Sequence, residues 1–225
     1  MKKVAAVCVC LMLALPCLPL KAALGESKPG PDAAASPAGP PAGAWADGVY
    51  RNEAVDVAYA LPEGWRVIPA EELTLLIEVS LRVIMQADGL AEVMENSGSS
   101  FDMMTASASF DHCMDILYTD LSRLENGPDM TETDYLALVR EQIGGVKRVR
   151  AAFGEPVALD AGGQTYTSMT ANITVSKYHV RQQSLVRRAG DVMVMITYST
   201  FDGRKPETLD WTDALTGPGA FPAKG

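Results

Sequence analysis

The chain has 225 residues, with 19 Lys and Arg against 28 Asp and Glu, a net charge of −9 and 48% hydrophobic side chains. Such acidity argues against nucleic-acid binding, which needs a basic footprint for phosphate, and against adhesion to anionic lipid headgroups.

Lys2 and Lys3 precede an apolar run from Val4 to Leu20, the layout of a secretory leader. Pro16 and Pro19 interrupt the run, which falls short of the ~20 predominantly apolar residues that a membrane span requires. Small residues in Ala23-Leu24-Gly25 suit signal-peptidase cleavage, giving a signal peptide over 1–25 and a mature start at Glu26. Lipid attachment at Cys17 is the alternative. Leu13-Ala14-Leu15-Pro16-Cys17 has the Leu-rich approach of a lipoprotein signal, with Pro16 where a small residue is usual. Either route makes the chain extracytoplasmic, whether secreted, periplasmic or at the cell surface, and it meets the membrane only if Cys17 takes the lipid anchor. Cleavage after Gly25 removes Cys8, Cys10 and Cys17 and leaves Cys113 alone. No intramolecular disulfide is then available, so an ordinary core must hold the fold. The same cut removes Lys2, Lys3 and Lys21 but no acid, taking the net charge to −12.

Residues 26–47 form a Pro/Ala/Gly-rich linker, as in Ser36-Pro37-Ala38-Gly39-Pro40-Pro41. With almost nothing to bury, it is expected to be a disordered tether. Residues 48–215 have the size of one domain, and Gly217-Pro218-Gly219 opens a flexible tail over 216–225.

Within the domain, Val55 to Leu61 and Trp65 to Ile68 predict a hairpin turning at Pro62-Glu63-Gly64. Pro69, Glu71 and Glu72 suit a helix start, followed by Leu73, Leu76, Ile77, Leu81 and Ile84 at helical spacing. Phe101 to Ser109 and Met114 to Leu121 predict two strands joined through Phe110-Asp111-His112-Cys113. Thr131 and Asp134 form a capping-box pattern ahead of the stripe Tyr135, Leu138, Val139, Ile143 and Val146, a helix ending by Gly144-Gly145 or Arg150. Strands over 164–175, 178–188 and 192–200 follow as an antiparallel meander, with Asp160-Ala161-Gly162-Gly163 as the turn before them. Pro206 and Glu207 open a short terminal helix through Leu215. This order predicts an α+β fold, an antiparallel β-sheet with helices packed on its faces.

Tyr50-Arg51-Asn52, Leu61-Pro62-Glu63-Gly64-Trp65, Thr133-Asp134-Tyr135-Leu136 and the final meander resemble the PsbP-like fold over most of residues 48–215. The resemblance implies a PsbP-like α/β/α sandwich and a non-catalytic accessory or interaction role. It carries over no functional residue, because the Pro-Glu-Gly-Trp element is a turn with an aromatic anchor.

The densest set of ligand-type side chains is Asp111-His112-Cys113-Met114-Asp115. In a turn, His112 and Cys113 reach one metal; in a strand they point to opposite faces and cannot act as a nucleophile and base. His179 is the other histidine, a potential base for Cys113, but no cysteine-enzyme signature surrounds the thiol. Met103, Met104, Met114, Met193 and Met195 offer soft ligands for copper, although methionine more often fills a core. No Gly-x-Ser-x-Gly occurs, and Gly144-Gly145 and Gly162-Gly163 lack the spacing and lysine of a phosphate loop. Asn172-Ile173-Thr174 matches a glycosylation acceptor but falls inside a predicted strand. The expectation is therefore no enzyme, no cofactor, and no catalytic, cofactor-binding or metal residue. It is an exported envelope module for an unknown protein partner. The alternative is an extracytoplasmic small-molecule or metal-binding protein, or a hydrolase of unrecognised type, with its site around His112.

Overall fold

A computed structural model describes residues 42–80, 98–124, 126–146, 149–175, 178–201 and 211–216. The leader with its three cysteines, the linker up to Pro41, the predicted helix beyond Ser80, the start of the terminal helix and the tail lie outside the described residues.

The chain opens with β1 (Ala44–Ala46), β2 (Val49–Asn52), β3 (Val57–Ala60) and β4 (Trp65–Val67), followed by helix α1 (Ala70–Ser80). Strands β5 (Ser99–Ser107) and β6 (His112–Asp120) precede helix α2 (Glu132–Gly145). Then come β7 (Val149–Phe153), β8 (Val157–Ala161), β9 (Gln164–Val175), β10 (Tyr178–Ala189), β11 (Val192–Phe201) and β12 (Leu215–Thr216). Two sheets result. One has the order β1-β2-β3-β12; the other runs β4-β5-β6-β11-β10-β9-β7, with β8 also paired to β9. Every pairing is antiparallel.

The eight-stranded sheet has a core on each face. Along β11, Met193, Met195 and Phe201 face α1 and α2 and pack with Leu73, Leu76, Tyr135, Leu136, Val139 and Ile143. The alternate residues Val194, Ile196 and Tyr198 face the small sheet and pack with Tyr50, Val57, Tyr59 and Leu215. Full burial of side chains of this kind stabilises by about 1.5–3 kcal/mol each, so the period of 2 in β11 contributes to both cores at once. The fold is thus α+β, with both described helices on one face and the four-stranded sheet on the other.

The meander and α2 follow the sequence reading closely. Ten residue pairs join β10 to β11, and nine join β10 to β9. Thr131 Oγ1 accepts from the Asp134 amide at 3.2 Å, and Asp134 Oδ2 accepts from the Thr131 amide at 3.0 Å, completing the capping box.

Five local expectations are corrected. Val57–Ala60 and Trp65–Val67 are not a hairpin: β3 pairs within the small sheet and β4 pairs with β5 of the large one. Their strand composition is real, but the Pro62 turn, closed by Trp65 N–H to Pro62 O at 3.1 Å, carries the chain from one sheet to the other. Ala44–Ala46, assigned to the linker, forms β1, because Asp47 and Gly48, both at positive φ (50° and 74°), fold it back onto β2. The β5–β6 connection spans residues 108–111, which places His112 and Cys113 inside β6. Residues 149–153 and 157–161 are strands that share one edge of β9, interrupted by a one-residue bulge at Gly154-Glu155-Pro156. Finally, Trp211–Ala214 is a 3-10 turn and Leu215–Thr216 pairs with Tyr59 and Ala58 of β3, where a helix was predicted.

Candidate functional site

Strand alternation divides the Asp111 to Asp115 cluster. His112 and Met114 point toward the small sheet, while Cys113 and Asp115 point toward the helices. Cys113 is fully buried beside Ala106 and Ser199, its neighbours in register. His179 lies on β10 opposite Thr174, whose hydroxyl is 3.1 Å from its Nδ1. Two strands and three residues separate it from Cys113, roughly 14 Å by strand geometry, and it occupies the opposite face. The two cannot form a nucleophile and base. Among the described residues, no three His, Cys, Asp or Glu side chains gather for a metal. The five methionines are buried, with Met104, Met193 and Met195 in one core and Met103 and Met114 in the other.

The solvent-accessible part of the cluster lies at the tip of the β5–β6 hairpin. Four rings stand side by side there. Trp65 lies 6.2 Å from Tyr198 at an interplanar angle of 20°, His112 lies 6.0 Å from Tyr198 at 28°, and Tyr198 stacks on Trp211 at 5.2 Å and 5°. The Tyr198 hydroxyl and His112 Nδ1 are 2.9 Å apart, and Trp211 Nε1 donates to Gln183 Oε1 at 3.2 Å. Tyr198 and Trp211 are buried; Trp65 and His112 are half-buried at the outer end of the row.

Asp111 closes the turn. Its carboxylate accepts from Ser107 Oγ at 2.8 Å and from Ser109 Oγ, and it sits 4.0 Å from His112 Nε2. Burial raises its pKa, but the two serine hydroxyls and the nearby His112 outweigh that and hold it below the ordinary carboxylate value. On the other side of the tip, Arg66 lies over the Phe110 ring at 4.7 Å and binds Glu72 through two hydrogen bonds of 2.9 and 2.7 Å. Phe110 itself has φ of 58°. A bulky side chain in the left-handed region is strained, on the order of 1–3 kcal/mol, and persists only where its surroundings fix it. Here the fixing contacts are the Phe110 amide to Ser107 O and the Phe201 amide to Asp111 O, both at 3.0 Å, with the ring against the helix-side core. The tip therefore displays two half-buried aromatics, an imidazole, a guanidinium and an ionised carboxylate, which are groups suited to docking.

Two polar features escaped the sequence reading. Asp115 is completely buried, and among the described residues neither carboxylate oxygen has a hydrogen-bond partner; nor does Oγ1 of Thr197, its neighbour in register on β11. Burial pushes the Asp115 carboxyl well above its usual range. A lone acid inside the run Cys113 to Tyr118 was the available signal. The second feature is centred on Asp102, which occupies a bulge between Phe101 and Met103 in β5. Its carboxylate accepts from the Gly43 amide at 3.1 and 3.3 Å, from Asn52 Nδ2 at 3.2 Å and from the Tyr50 hydroxyl. Burial raises the Asp102 pKa against the opposing hydrogen bonds from Tyr118 and Gly43. Burial likewise pushes the Tyr118 hydroxyl up, with the Asp102 charge adding to it. A bulge leaves no composition signal, so nothing in the sequence marked Asp102.

No family model matches the sequence, and no curated protein matches it. Among solved structures, the chain is similar to the cyanobacterial PsbP (CyanoP) of Synechocystis, with a TM-score of 0.38 and 15% identity over 68% of this chain and 78% of that one. It is also similar to LpqN of Mycobacterium tuberculosis, a protein involved in cell envelope biogenesis, with a TM-score of 0.30 and 13% identity over 64% and 69% of the two chains. At these identities no site residue is carried across.

Proposed function

We propose that the protein is an exported cell-envelope accessory module without catalytic activity, which docks a protein partner through the tip of the β5–β6 hairpin. The observation that carries this reading is Phe110, an aromatic residue held at φ of 58° under the Arg66 guanidinium at the most exposed turn of the ligand-rich cluster. Backbone strain of this kind concentrates at functional positions. The leader and the Pro/Ala linker support the address and the tethered arrangement, and the acidic chain supports a protein rather than nucleic acid as partner. Cys17 supplies the membrane attachment if the leader is processed as a lipoprotein signal.

A photo-reactive residue placed at position 110 in intact cells tests the proposal, with the same probe at Val157, 57% exposed on β8, as control. One envelope protein crosslinked from position 110 and absent from position 157 is the expected result. Identical adducts from the two positions, or bait alone under gentle crosslinking, would remove the reading.

A further inference from the structure

The groups around Asp102 converge from elements far apart in the chain. The Asn52 side chain is fixed in orientation, because its Oδ1 accepts from the Ala54 amide at 3.1 Å and so directs Nδ2 inward. Nδ2 donates to the Tyr118 hydroxyl at 3.2 Å as well as to Asp102. The Tyr118 and Tyr50 hydroxyls are 2.9 Å apart, and Tyr50 donates to Asp102 Oδ2. Asn52, Tyr118 and Tyr50 thus form one hydrogen-bonded group that ends on the carboxylate. Tyr50, Asn52 and Tyr118 are all buried, so the donors are held in place and shielded from water, which strengthens each hydrogen bond they make and makes an unfilled acceptor position costly.

The fourth donor is the backbone of the N-terminal arm. Gly43 sits so close to Tyr50 that a Cβ would collide with its ring, which is why glycine is required at the point where the arm meets the domain. Beyond this contact, among the described residues β1 pairs with β2 alone, and Trp45 rests on Tyr50 at 5.7 Å and Tyr59 at 6.3 Å. The arm's first described hydrogen bonds thus end on a carboxylate of the other sheet.

We propose that the Gly43 amide, Tyr50, Asn52 and Tyr118 form a carboxylate-binding site, filled in this conformation by Asp102 of the same chain, and that its occupancy decides whether the N-terminal arm is docked. The site is complete without Asp102, since its donors come from Gly43 just ahead of β1 and from β2 and β6, while the anion arrives from the β5 bulge. With Asp102 removed, buried donors lose their acceptor, a situation that folded proteins avoid, and a small free carboxylate takes its place. The importance of the arm's position rests on reading residues 26–41 as a tether, but the site itself is testable without any partner.

Amide hydrogen exchange on the full chain reads the arm at residues 44–46, with the β9–β11 meander as an internal measure of folding. In Asp102→Ala, exchange in the arm rises about tenfold or more while the meander is unchanged, and added formate or acetate restores protection in a saturable way that chloride at equal ionic strength does not. Arm protection that is unchanged in Asp102→Ala overturns the proposal, as does a detached arm that neither formate nor acetate restores. Should Asp102→Ala fail to fold, Asp102→Asn keeps the shape without the charge; parent-level arm protection in that variant also overturns it. Failure of the position-110 crosslink bears on the partner and leaves this result untouched.

Discussion

Replacing Asp115 by Asn should make the protein more stable at neutral pH, against the usual effect of altering a fully buried residue. Burial raises the folded-state pKa of Asp115 above its unfolded value of about 3.9. The ionised form is therefore disfavoured in the folded chain. Its contribution to stability is intact below about pH 4 and is lost as the pH rises from there toward the folded pKa, at about 1.4 kcal/mol per pH unit. The loss grows over the whole interval between the unfolded and the folded pKa and levels off above it. Asn has the same shape and no titration, so it removes the slope. It still leaves a buried amide without partners, a penalty of about 1–3 kcal/mol. The parent's buried carboxylic acid carries a similar penalty, so the net expectation is a gain of about 1 kcal/mol or more at pH 7 and no change at pH 4. Urea denaturation of parent and variant at pH 4, 5, 6 and 7, compared at equal m-values, measures the difference. Other shifted carboxyls, among them Asp102 raised and Asp111, Asp134 and Glu72 lowered, are common to both proteins and cancel. A variant that is less stable at pH 7, or one that keeps the parent's pH slope, would refute the argument that Asp115 is an unpartnered buried acid.

Phe110→Gly relieves the left-handed backbone and is expected to leave stability within about 1 kcal/mol of the parent, because the relief offsets the lost ring contacts; partner crosslinking from neighbouring tip positions should nevertheless disappear. Thermal unfolding and crosslinking of the one protein check both halves. Thr131→Ala removes the N-cap of α2 and should lower stability by about 1 kcal/mol, read by urea titration. Thiol titration of the mature chain should find none reactive in the folded state, because Cys113 is buried, and one in urea. Additional thiols in urea would show that the leader cysteines remain.

The parts legible in the sequence are those written locally. The α2 cap needs only Thr131 and Asp134, and the meander needs only three apolar-rich runs separated by turn residues, so both could be read from neighbouring positions. Strand partners are a different matter. Val57–Ala60 and Trp65–Val67 look like two arms of one hairpin because composition reports strand and says nothing of which sheet. Strands β7 and β8 escaped because Ala151, Ala152 and Pro156 read poorly as strand, while the long edge of β9 supplies the hydrogen bonds that override propensity. The ligand-rich cluster is split, since the turn lies at residues 108–111 and sets His112 and Cys113 on opposite faces of a strand. Asp102 acquires its role from a one-residue bulge that only the paired sheet reveals.

The small sheet is assembled from both ends of the chain, with β1 to β3 near the start and β12 at Leu215–Thr216. Since a chain is made from its N-terminus, the edge of β3 that takes β12 stays unpaired until Leu215 and Thr216 have been added. A chain cut short before Leu215 would carry an open strand edge at Ala58 and Tyr59, the kind of surface that recruits other chains. The small sheet thus closes only when Leu215 and Thr216 reach β3, and a chain stopped before them would carry an adhesive strand edge.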